Sequence, residues 1–119
     1  MPGLSIKVEK DTNNPDIAVI KLQGFLDSNT SSDFEHAIRK LVYDSIFKII
    51  INLEEIDYIS SAGWGIFVSE IKNIRENNGD LKLVRMIPDV FEIFKLLEFD
   101  EIFQIFDSET DAIKKFKES

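Results

Sequence analysis

The chain has no cysteine, and its 119 residues include one histidine, one tryptophan, three prolines and five glycines. Without thiols there is neither a disulfide framework nor a cysteine nucleophile, and the lone His36 is too little to build a metal cluster. His36 lies in a polar-rich segment and reads as a solvated side chain. No apolar stretch is long enough to span a membrane and none opens the chain as a signal peptide would, so the expected location is the cytoplasm. Basic residues are in deficit: 14 Lys and Arg stand against 22 Asp and Glu, a net charge of -8. Such a chain repels nucleic acid and anionic membrane surfaces, which leaves a protein partner with basic contacts as the better fit.

What is present is enough for a core. At 44% hydrophobic content, residues 1–119 are expected to form a single domain. The most organised stretch runs from Phe47 to Gly65, FKIIINLEEIDYISSAGWG. Phe47, Ile49, Ile50, Ile51 and Leu53 form a nearly continuous β-branched run, which suits a central strand covered on both faces. Glu54, Glu55 and Asp57 then read as a solvated loop. After Ser60 and Ser61, apolar residues at Phe67, Ile71 and Ile74 take helical spacing.

The flanks extend this pattern. Leu4, Ile6 and Val8 alternate with polar residues as an edge strand, and Ile17 to Leu22 gives its hairpin partner, ended by Gly24. A first helix is predicted over Ser31 to Tyr43, and the second is expected to stop at Asn77-Asn78-Gly79 through a left-handed glycine. Leu81 to Val84 is a strand. Pro88 starts a third helix with Val90, Phe91, Phe94 and Leu97 on one buried face. Ile102 to Phe106 reads as the last strand, and Ser108 caps a closing helix through Lys117. Most of the phenylalanines are assigned to the core, with a minority free to line a docking groove. The fold class is α/β, a mixed and mainly parallel sheet of about five strands with an N-terminal antiparallel hairpin, in the order β-β-α-β-α-β-α-β-α.

In such sheets, sites lie beyond the carboxyl ends of the strands, where the Gly24 to Thr30 loop and the Ser60 to Gly65 turn both emerge. A serine hydroxyl at a helix N-terminus can cap the helix, or stand where unpaired N–H groups and the helix dipole favour a phosphate. Both readings apply to Ser60 and Ser61.

LEEIDYISSAGWG, together with LQGFLDSNT, resembles the STAS family of anti-sigma factor antagonists, whose signature is a strand, a D-S-[ST/A]-G-x-G turn and a helix. Gly24, Leu26, Asp27 and Thr30 match the family's L-x-G-x-[LF]-D-x-x-T stretch. The resemblance implies phosphorylation of the serine two residues before the first glycine, here Ser61, followed by Ala62, Gly63, Trp64 and Gly65. Where phosphorylated members usually carry aspartate, this chain has Ser60, which stays the alternative target. The implied function is partner switching. The unmodified protein binds an anti-sigma factor that is also a serine kinase, phosphorylation at Ser61 releases it, and a serine phosphatase resets the protein. The chain itself would hold no cofactor or metal and would not be an enzyme.

Other residues keep two readings. Asp27 either orients the Ser61 hydroxyl and accepts its proton or simply forms the turn, and Thr30 reads as a cap. Trp64 is either an exposed anchor for the partner or core. A hydrolase is disfavoured, because Ile59 occupies the first glycine position of a G-x-S-x-G elbow and the only histidine precedes the serine. No Gly-Lys-Ser/Thr follows the glycines, as a nucleotide loop requires. The rival to a switch is a STAS-like scaffold or accessory subunit that is never phosphorylated.

Overall fold

The computed structural model describes residues 3–118. Five strands, β1 (Leu4–Lys10), β2 (Ile17–Leu26), β3 (Lys48–Ile59), β4 (Asp80–Val84) and β5 (Ile105–Phe106), form one sheet in the order β1-β2-β3-β4-β5. The β1–β2 hairpin is antiparallel and the other three pairings are parallel. Helices α1 (Ser31–Tyr43), α2 (Ser61–Glu76), α3 (Pro88–Leu96) and α4 (Glu109–Lys117) connect and close the sheet.

Strand alternation divides the core in two. Ala18, Ile20, Ile49, Ile51, Leu81 and Leu83 meet Phe34 and Ile38 of α1, Phe67 and Ile74 of α2, and Phe94 of α3. The intervening residues Ile17, Val19, Ile50 and Val84 point to the opposite face and meet Ala112 and Phe116 of α4. Lys82 lies on this second face, buried, with its Nζ on Asp80 Oδ2 at 3.0 Å and Gln104 Oε1 at 2.7 Å, above the Phe116 ring.

The central strand runs further than the apolar run suggests. Glu54, Glu55 and Asp57 belong to β3 rather than to a loop. Its pairing with β2 slips twice, between Lys21 and Gln23 and between Gly24 and Phe25, so β3 carries an extra residue at each point. The buried positions Leu53, Ile56 and Ile59 therefore stand three apart instead of two. Gly24 likewise does not end β2. It lies within the strand at φ 114, where a Cβ would collide with the Gly3 carbonyl.

Three smaller expectations also change. Asn78, at φ 65, takes the left-handed position after α2 in place of Gly79. The last strand shrinks to Ile105–Phe106, because Phe99–Glu101 forms a 3-10 turn that sends Phe103 into the core. Of the face assigned to α3, Val90 and Phe94 are buried while Phe91 and Leu97 are exposed.

Candidate functional site

The two parallel strands β2 and β3 end level with each other, Leu26 beside Ile59. The ladder runs one bond further, Ser60 N donating to the Leu26 carbonyl at 2.9 Å, and the chain then turns into α2. Ser60 has extended backbone, and its Oγ accepts from Gly63 N at 3.3 Å while its carbonyl accepts from Trp64 N at 3.0 Å. Ser60 is thus the N-cap of α2. Aspartate caps as well as serine, so the departure at this position leaves the turn intact.

Ser61 has no such duty. It is the first residue of the 16-residue helix, it is exposed, and among the described residues no hydrogen bond holds its hydroxyl. The Ser61 and Ala62 amides belong to the first turn, where no intrahelical acceptor exists and the helix dipole is positive. Of the two adjacent serines, Ser60 takes the capping role and Ser61 is left without it. Gly63 packs where no side chain fits, against Leu26 and Ile59, whereas a Cβ at Gly65 would meet open space.

The loop after β2 is self-contained. Asp27 Oδ1 accepts from Asn29 N at 2.9 Å and Thr30 N at 3.2 Å. Thr30 Oγ1 donates to the Phe25 carbonyl at 2.9 Å and accepts from Asp27 N at 2.9 Å. Thr30 stands at the N-cap position of α1, yet its side chain does not cap; it clasps the loop. The structure thus brings the Asp27 loop beside the Ser60 turn through Leu26 and uses its polar atoms to shape that loop.

Trp64 is core. At 3% exposure it packs in tilted contact with Phe67, Phe94 and Phe99 at centroid separations of 5.4, 5.9 and 5.3 Å, which sets aside its reading as an exposed anchor. The residue sits two places after Ala62 on the face of α2 that Phe67 and Ile71 also use, so helix periodicity buries it. Its Nε1 is buried without a hydrogen-bond partner among the described residues.

The ring still shapes the site, because Trp64 lines a groove of about 960 Å³ between α2 and α3 that opens beside Ser61. Val68, Ile93, Leu96 and Leu97 line it and are exposed, Leu96 to 75%. Asp57, Asp89 and Glu92 line it too. None of these seven was singled out from the sequence as a site residue. The available signal was the pair Leu96-Leu97, adjacent apolar residues that one helix face cannot bury together.

Comparison with known proteins places this geometry. The STAS domain family matches residues 8–112. BtrV of Bordetella bronchiseptica is 31% identical over 96 residues, 81% of this chain and 83% of BtrV. The anti-sigma-B factor antagonist of Listeria monocytogenes is 28% identical over 104 residues, 87% of this chain and 89% of that protein. Among solved structures, the Bacillus cell fate determinant SpoIIAA in its phosphorylated form superposes with a TM-score of 0.72 at 21% identity, covering 93% of this chain and 98% of that one.

Proposed function

The chain belongs to the STAS domain family, and on that premise we propose that it is a cytoplasmic anti-sigma factor antagonist switched by phosphorylation of Ser61. The unmodified turn and α2 surface bind an anti-sigma factor with serine kinase activity, which frees a sigma factor; a serine phosphatase restores the bound state after phosphorylation. The observation that carries the reading is the exposed, uncommitted hydroxyl of Ser61 beside a neighbour that already caps the helix.

The chemistry needs little from this chain. Ser61 Oγ attacks the γ-phosphorus of the partner's ATP, the bond to the bridging β,γ-oxygen breaks, ADP leaves, and the hydroxyl proton passes to a base of the partner. Magnesium and nucleotide belong to the partner. The new phosphate carries about 1.5 to 2 negative charges and lies at a helix N-terminus, where it is favourable. The domain is not expected to unfold, and a phosphorylated relative does keep this fold.

Release follows from the charge. The kinase presents nucleotide phosphates to Ser61, so product phosphate and ADP face each other. At an effective dielectric near 20, each pair of unit charges about 4 Å apart costs about 4 kcal/mol. Discounted by half or more for salt and rearrangement, a doubly charged phosphate still lowers affinity on the order of a hundredfold.

The test is incubation with magnesium ATP and the anti-sigma kinase of the native cell, followed by mass spectrometry and a binding titration. Phosphate is expected on Ser61, absent from Ser61→Ala and present on Ser60→Ala, with weaker kinase binding by Ser61→Asp. Unmodified Ser61 together with undiminished binding by Ser61→Asp would leave a scaffold subunit instead.

A further inference from the structure

The groove between α2 and α3 is larger than a phosphorylation turn requires, and its composition is lopsided. Its floor and walls are Trp64, Val68, Val90, Ile93, Leu96 and Leu97, apolar side chains of which four are exposed. Its charged lining is acidic only: Asp57 at the end of β3 and Asp89 and Glu92 on α3. Among the described residues no ion pair or hydrogen bond engages any of these three side-chain carboxylates.

We propose that this groove is the seat of an amphipathic helix of the partner whose apolar stripe is flanked by lysine or arginine. The proposal rests on the switch reading above and extends it, since it gives the partner a second contact at the mouth of which Ser61 stands. Three observations select this occupant. The groove lies between two helices, and the nine residues of α3 run about 14 Å, which accommodates an incoming stripe spaced i, i+3 or i+4, and i+7. The unpaired carboxylates supply charge complementarity to a basic flank. A second copy of this chain, or an anionic bilayer, would bring like charge to the same rim on a molecule of net charge -8.

Trp64 gives the site its own reporter. It is the only tryptophan in the chain and lines the groove, so its emission responds to occupancy. The probes are two synthetic helical peptides with the same leucine stripe at i, i+3, i+4 and i+7, one flanked by lysines and the other by glutamates. Titrated into the full-length protein at low salt, the lysine-flanked peptide is expected to shift Trp64 emission and to bind about tenfold or more tightly than its counterpart. That gap should narrow in 1 M salt, where the Debye length falls to about 3 Å.

The double variant Asp89→Lys/Glu92→Lys is expected to reverse the preference. Leu96→Asp is expected to abolish binding of both peptides, and the exposure of these positions keeps the fold intact, checked by circular dichroism. Equal binding of the two peptides, no binding, or a concentration-dependent dimer abolished by Leu96→Asp would overturn the proposal, as would binding only to vesicles. Neither peptide touches the chemistry of Ser61. Loss of peptide binding with an intact Ser61-dependent partner switch rejects the groove alone, and the converse result rejects the switch alone.

Discussion

Gly63 lies against Leu26 so closely that a Cβ on it would stand 2.8 Å from Leu26 Cγ and 2.9 Å from the Leu26 carbonyl oxygen. That carbonyl also accepts the Ser60 amide, so one contact sets both the tightness of the turn and the position of Ser61 at its edge. Gly63→Ala is expected to destabilise the protein by about 1 to 3 kcal/mol through overpacking. Gly65→Ala, with open space around it, is expected to be neutral or to stabilise by up to about 1 kcal/mol by removing a helical glycine. Chemical denaturation of the pair measures the contrast, and equal effects would contradict the packing account.

Ser60 and Ser61 separate by the same logic. Removing the cap in Ser60→Ala is expected to cost about 1 kcal/mol, a few degrees in Tm for a domain of this size, and Ser60→Asp should cost almost nothing. Ser61→Ala is expected to leave Tm unchanged within error, since its hydroxyl has no structural partner among the described residues. Thermal scans of the three variants decide it.

Glu70 of α2 is buried to 2% exposure and meets Arg39 Nε of α1 at 3.0 Å. Arg39→Met would strand that carboxylate, at a cost on the order of 3 kcal/mol. The double variant Arg39→Met/Glu70→Leu is expected to recover most of the loss, because the burden is an unpaired charge and not a missing attraction. Denaturant midpoints for the two singles and the double complete the cycle.

Asp100 has its carboxyl held below the usual aspartate range by the hydrogen bond from Lys95, and Lys95 Nζ lies 2.8 Å from Asp100 Oδ2. A depressed folded-state pKa stabilises the protein above the unfolded-state value, and that contribution is lost as pH falls through the folded-state value. Lys95→Met is therefore expected to flatten the acid limb of the stability curve slightly while lowering stability a little at neutral pH. Since both side chains remain open to solvent, the effect should also shrink in high salt.

Much of this architecture was legible before coordinates, for a reason visible in α1. Its apolar positions Phe34, Ile38 and Leu41 and its charged face report the same period, and its bounds Ser31 to Tyr43 agree with the structure, although Thr30 does not cap it. The end of β3 was misread because two register slips break the alternation on which strand reading depends. Burial of Trp64 left two readings, since helix spacing shows which residues share a face and not how deep that face lies. The groove went unseen for a related reason: its lining residues on the two helices lie 21 or more apart in sequence, as Val68 and Asp89 do, and its acidic rim looks like ordinary solvated surface until the exposed leucines beside it are placed.

Strand order in the sheet follows strand order in the chain. Each new strand therefore joins at a free edge, with none having to insert between two already placed. The elements that directly frame the turn bearing Ser61, β2, α1, β3 and α2, are all contained in residues 17–76. In vectorial synthesis these elements emerge before α3, so the Ser61 turn can begin to form before Asp89 and Glu92 arrive beside it.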